Sequence, residues 1–288
     1  MKKALCFFLL TLIVSCNNQT KKASADRIVT VSIAPFKYFI DRISDGDFVV
    51  NVMVPPGSDP HVYEPVPDQI NKLRYSEAYI SNGFLGFEMV WLDRLYEVNK
   101  GMKKLNLGDH INPILSEHSD SHKHTEGADP HYWVSPICAI KISEAIKLLL
   151  TELNPADSVK YENNCNILIS EIQALIDKGN NSFSDRKSRT FMIYHPNLAY
   201  IARDFGLTEI AVETEGKEPS PSDLRNLIDS ARKENITTIF VQKEFDRRNA
   251  QAIADEIGAD LTIIDPLSED WKNFVNSIIE ALSQSFKN

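Results

Sequence analysis

Short runs of β-branched and aromatic residues alternate along the chain with segments whose apolar positions recur every three or four residues. Arg27 to Ile33, Phe48 to Val54, Ala78 to Ser81 and Lys103 to Leu107 read as strands. Between them, Phe36 to Ile43, Pro67 to Tyr75 and Phe87 to Val98 read as helices. The same alternation returns later, with strands over Arg189 to Tyr194, Glu209 to Val212, Thr237 to Val241 and Leu261 to Ile264. Helices fall between these, the clearest being Ser222 to Glu234. Strands alternating with helices point to βαβ units and parallel sheets.

The middle of the chain breaks the alternation. Ile142, Ala145, Ile146, Leu149 and Leu150 form one helical stripe, and Val159, Cys165, Leu168, Ile169, Ile172, Leu175 and Ile176 form a second. The second helix reaches about Asp177, roughly 33 Å at 1.5 Å per residue. The expected fold is α/β, with two lobes of parallel sheet flanked by helices, joined by one long α-helix. One continuous α/β sheet is the alternative. The expected organisation is a leader over 1–15, a tether over 16–26, a first α/β lobe over 27–153, a linking helix over 154–185 and a second lobe over 186–288.

The leader reading rests on Lys2 and Lys3 ahead of an apolar stretch from Ala4 to Val14. That stretch is too short to span a bilayer but suits a signal-peptide core. It ends at Ile13-Val14-Ser15-Cys16, which resembles a lipobox, so Cys16 is the expected lipidation site of an exported, membrane-anchored protein, periplasmic or at the cell surface. Cys138 and Cys165 lie on helical stripes, and the sequence leaves open whether they are buried thiols or a disulfide.

Composition narrows the function by exclusion. A net charge of −9 without a basic block is wrong for nucleic-acid binding, and 43% apolar residues exclude disorder. Histidine placement is the positive signal: five of the seven fall within 22 residues, His110 to His131. His118, His122 and His124 sit in an aperiodic, acid-rich loop over 110–127, a plausible auxiliary metal collector. His61, His131 and His195 stand in ordered contexts, His61 just beyond a strand, His131 just before a helix and His195 at the end of a strand, and Asp265 closes another strand. Ligands of α/β sheets gather at the carboxyl ends of strands. Three neutral imidazoles and one carboxylate suit a tetrahedral Zn²⁺ site, with Asp265 or water in the fourth place. Asp-Pro-His occurs twice, and Asp59, Glu64 and Asp129 are candidates to orient the rings.

The motifs GSDPHVYEP, DPHYWVSP, YHPNLAY and IIDPL, in this order behind a lipobox, resemble the zinc/manganese-binding proteins of ABC metal importers. The resemblance implies two α/β lobes bridged by a long helix, with metal held between them by His61 and His131 from the first lobe and His195 and Asp265 from the second. Manganese-preferring members tend to carry glutamate where this chain has His195, and imidazole suits zinc better than manganese. The implied role is a monomeric, non-enzymatic zinc receptor serving an ABC permease. A manganese receptor, a zinc hydrolase with Glu64 as base, and a surface adhesin are the competing readings; the absence of HExxH and GxSxG weighs against the hydrolase.

Overall fold

The computed structural model describes residues 27–115, 127–213, 219–245 and 247–286. The first half carries β1 (Ile28–Val31), α1 (Ala34–Ser44), β2 (Val49–Val52), α2 (Pro67–Leu73), β3 (Ser76–Ser81), α3 (Gly86–Val98) and β4 (Lys103–Asn106). Two helices follow, α4 (Pro136–Leu153) and α5 (Ser158–Phe183). The second half carries β5 (Thr190–Ile193), α6 (Ala199–Phe205), β6 (Thr208–Ala211), α7 (Pro221–Lys233), β7 (Thr238–Gln242), α8 (Arg247–Ile257), β8 (Asp260–Ile264) and α9 (Trp271–Ser285). The strands form two separate four-stranded parallel sheets, ordered β2-β1-β3-β4 and β6-β5-β7-β8. The continuous-sheet alternative is therefore excluded. Each half uses the same topology, which reverses direction between β1 and β3 and again between β5 and β7. Such reversals open a crevice at the carboxyl ends of the strands.

Burial explains why the strands read as nearly continuous apolar runs. Along β5 and its extension, Phe191 and Ile193 face the large core shared with the central helices, while Met192 and Tyr194 face a second core under α7 and α8. A parallel sheet covered on both faces needs apolar residues at every position. Helix starts follow local chemistry. Ser135 accepts a hydrogen bond from the Cys138 amide at 2.9 Å, and Ser220 caps α7, each just before a proline at the first helical position.

The central helix is longer than its stripe suggested. It runs for 26 residues to Phe183, past the expected end at Asp177. Gly179 and the asparagines around it are poor helix formers, but tertiary packing decides here. Gly179 is buried beneath the Phe205 ring of α6, and a Cβ there would lie 2.3 Å from a ring carbon. The same helix presents Glu171 to Arg42 of α1 and Lys272 of α9, at 2.7 and 2.8 Å. Those partners, with Arg42 first, hold the Glu171 carboxyl at about 2.

Cys138 and Cys165 are both buried free thiols, which decides between the two states left open by sequence. Arg203 donates to Cys138 Sγ, and Cys165 Sγ lies 3.6 Å from the Ser143 carbonyl. Cys16 lies outside the described residues, and among those residues no helix is long and apolar enough to cross a membrane.

Replacing a mid-helix glycine with alanine ordinarily stabilises by about 1 kcal/mol. Gly179→Ala is expected to destabilise by about 1–3 kcal/mol instead, through overpacking against Phe205. Denaturant midpoints of the two proteins give the sign.

Candidate metal centre

Both Asp-Pro-His tripeptides fold into the same local turn. The Asp59 carboxylate accepts from the His61 amide at 2.8 Å, and the Asp129 carboxylate accepts from the His131 amide at 2.8 Å. An aspartate that bonds its own backbone two residues on fixes a turn, so the repeated motif is a device for presenting an imidazole. Proline between them restricts the backbone further. Gly86, at the start of α3, lets that helix pack directly on the first turn, because a Cβ there would lie 2.3 Å from the His61 carbonyl oxygen.

His195 arrives from the other sheet, two residues beyond β5. The three rings meet with centroids 5.1–5.4 Å apart, and one ligand-type atom from each lies within 4.8 Å of the others. Nε2 of His61 and Nε2 of His131 are 3.1 Å apart. Residues distant in sequence thus place three nitrogen donors around one point, as three ligands of a tetrahedral zinc site require.

Two of the rings are oriented from behind. Asp129 contacts Nδ1 of His131 at 2.7 Å, which turns Nε2 toward the centre. Burial would push the Asp129 carboxyl up, but His131 holds it below its ordinary value. Glu213 contacts Nδ1 of His195 at 3.1 Å, leaving Nε2 buried without a hydrogen-bond partner. Phe245 stacks on the His195 ring at 4.7 Å and 20°. Of the orienting acids expected from sequence, Asp129 fills the role, Asp59 fixes only the backbone of His61, and Glu64 is exposed. Glu213 was missed. Its signal was positional: it closes a strand beside the strand that His195 closes.

Asp265 lies outside the three-histidine cluster. Its Oδ2 pairs with Lys243 Nζ at 2.5 Å, and its Oδ1 is buried without a partner. His110 is exposed on a short turn over 107–110, apart from the cluster. His118, His122 and His124 lie outside the described residues. A cavity of about 20 Å³ adjoins His61 and His131, with Asp59, Trp133, Gln242 and Glu244 among its walls. That is little more than the room one water needs.

Burial sets the electrostatics. Desolvation first, then the neighbouring imidazole of His131, lowers His61 to about 4. Desolvation, then His131 and His61, lowers His195 to about 3. Both rings are therefore neutral, with lone pairs available to a cation, throughout the physiological range.

Three imidazoles converging between two parallel sheets define a two-lobe α/β metal-binding architecture. Residues 29–285 match the family model described as the periplasmic zinc-uptake complex component A, ZnuA, and the chain belongs to that family. Among curated relatives it is similar to the zinc-binding lipoprotein AdcA of Streptococcus pneumoniae serotype 4, at 27% identity over 96% of this chain. The chain spans 57% of the length of that relative. It is also similar to the high-affinity zinc uptake system protein ZnuA of Bacillus subtilis, at 25% identity over 92% of this chain and 86% of the relative. A crystal structure of a zinc-bound ZnuA deletion mutant superposes with a TM-score of 0.84 at 34% identity, over 92% of this chain and 99% of the other.

The lowered histidines make stability depend on pH. Unfolded imidazoles titrate near 6.5, whereas folded His61 and His195 take protons only at about 4 and 3. Between those values the unfolded chain holds more protons, so stability falls as pH drops below about 6.5 and levels off near 3–4. The expected loss in the metal-free protein is on the order of a few kcal/mol. Unfolding midpoints from pH 7.5 to 4.5 measure it. His195→Asn should flatten the slope, and an unchanged slope would assign the proton uptake to other groups.

Proposed function

We propose that the protein is an extracytoplasmic zinc receptor that delivers Zn²⁺ to an ABC-type permease. The observation that carries this reading is the convergence of His61, His131 and His195 from two sheets onto one point, with burial keeping His61 and His195 neutral. Asp265 is the proposed carboxylate donor that closes the coordination through its unpartnered Oδ1, after Lys243 lets go. Zinc is favoured over manganese because the second sheet contributes an imidazole, a softer donor than carboxylate. The zinc-uptake family and the zinc-binding names of its AdcA and ZnuA relatives support the same cargo.

Capture and release fit the site better than hydrolysis. Catalytic zinc keeps an open position with space for substrate and an activated water. A cavity of about 20 Å³ offers space for a single small ligand, and Asp129 and Glu213 are engaged in orienting histidines. Glu64, the candidate base, does not line the cavity.

His118, His122 and His124 are proposed to form a weak, separate collecting loop. A lipid on Cys16 is proposed to tether the receptor to the membrane, as in the relatives named lipoproteins.

Metal analysis and competition titration of the purified mature chain test the site. His195→Ala is expected to weaken zinc binding by well over ~100-fold, more than the 10–100-fold typical of a lost outer partner. Changing His118, His122 and His124 together to Ala should leave the tight site at one zinc per chain. Zinc binding by His195→Ala equal to wild type would refute the two-sheet site. For the anchor, Cys16→Ser is expected to move the protein from the membrane fraction to the soluble fraction on cell fractionation.

A further inference from the structure

His61 and His131 stand 70 residues apart, yet one short segment holds both of their turns. It runs from Asn82, just beyond β3, to Glu88, in the first turn of α3. Asn82 Nδ2 donates to the Pro130 carbonyl at 3.0 Å, and the Asn82 carbonyl accepts from the Tyr132 hydroxyl at 2.7 Å. These two bonds bracket His131. At the other end of the segment the Phe87 amide donates to the Pro60 carbonyl at 3.5 Å, a long bond backed by the packing of Gly86 on the His61 carbonyl. The proline of each Asp-Pro-His tripeptide is thus gripped by the same loop, which acts as a clamp.

Glu88 fixes the shape of that clamp. It is only 3% exposed, and its carboxylate reaches back over the residues that precede it. Oε1 accepts from the Asn82 amide at 2.7 Å and from the Ser32 hydroxyl, and Oε2 accepts from the Gly83 amide at 2.6 Å. The Tyr79 hydroxyl lies 3.1 Å from Ser32 Oγ and extends the network. Burial raises the Glu88 carboxyl above its ordinary value, opposed by those donors. Its place in the first helical turn also favours negative charge, through the helix dipole. A buried carboxylate is tolerated when donors satisfy it, and two of the three here are backbone amides of the clamp itself. The backbone of Asn82 is therefore pinned on Glu88 while its side chain reaches Pro130.

We propose that Glu88 is a positioning residue for the metal centre: through the loop from Asn82 to Phe87 it holds both Asp-Pro-His turns, and with them two of the three imidazoles, in one register. The inference rests on the receptor reading above and deepens it. These contacts all lie within the first half of the chain, so His61 and His131 are held as a pair independently of His195. A pair fixed in advance spares the ion the cost of ordering it. Glu88 acts through the backbone that carries the rings and is not itself a ligand.

The test measures zinc affinity by competition with a chromogenic chelator and the visible absorption of the Co²⁺-substituted protein, which reports the geometry of the donors. Glu88→Gln keeps the shape but offers one acceptor oxygen where two are used. It is expected to weaken zinc binding at least about tenfold and to alter the Co²⁺ bands. Asn82→Ser keeps a side-chain acceptor for the Phe84 amide but is too short to reach Pro130. It is expected to act in the same way, and it carries the test should Glu88→Gln fail to fold. Asp47→Asn weakens a separate carboxylate network with Lys160 and Tyr161, so it is expected to lower the unfolding midpoint and leave both metal readouts unchanged. Wild-type affinity with an unaltered Co²⁺ spectrum in either folded clamp variant would overturn the proposal. An equal loss of affinity in Asp47→Asn would overturn it too, by assigning the effect to stability. His195→Ala run alongside separates the two readings: if it loses zinc while the clamp variants do not, only the present inference falls.

Discussion

Two tryptophans donate hydrogen bonds across the junction of the halves, and the geometry of the metal centre depends on them. Trp133 donates its indole N–H to the Pro266 carbonyl at 2.9 Å, and Trp271 donates its own to the Trp133 carbonyl at 2.6 Å. Both side chains are essentially buried, with Trp271 packed on Phe39 and Tyr38. Breaking either bond would strand a buried polar group at about 1–3 kcal/mol. One tryptophan lies two residues beyond His131 and the other six beyond Asp265, so the lock holds proposed ligands from both halves in register. Tyr200 of α6 adds a third tie, donating to the Asp129 carbonyl at 2.7 Å. With Glu171 of the long helix bridging α1 and α9, the halves are held at the site and along the strut together.

That rigidity explains how the chain tolerates an arrangement that is locally unfavourable. Three imidazoles, two of them buried, crowd together, and His195 keeps a ring nitrogen without a partner. Frameworks sustain such conflicts at functional sites when surrounding contacts over-determine the geometry. The orienting acids, the stacked Phe245 and the tryptophan lock do so here. His61 and His195 stay neutral because burial makes charge expensive, and neutrality is the state in which an imidazole binds a cation.

Much of this was legible in the sequence because the signals were periodic or doubled. The βαβ alternation located both sheets, the central stripes located α4 and α5, and the repeated Asp-Pro-His marked two of the three histidines that converge. His195 was legible from its place at a strand end. What stayed hidden depends on contacts between distant residues. The last turns of α5 rest on Gly179 meeting Phe205, which no helical periodicity encodes. Glu213 matters because of the strand it follows, and single acids after strands are common in any α/β chain. Asp265 was read as the carboxylate ligand, but Lys243, far from it in the chain, is its neighbour once β7 and β8 pair.

The size of the cavity has a consequence for which ions can enter. Space for about one water cannot accept a cation in its hydration sphere, so arrival at the histidines requires stripping that sphere. Magnesium sheds water reluctantly and keeps an octahedral shell, whereas calcium asks for six to eight oxygens. In a chamber of this size both abundant ions face a dehydration cost in addition to a donor set that does not suit them. A narrow chamber thus adds a hydration cost to ligand preference, and the two act together on any ion that reaches the imidazoles.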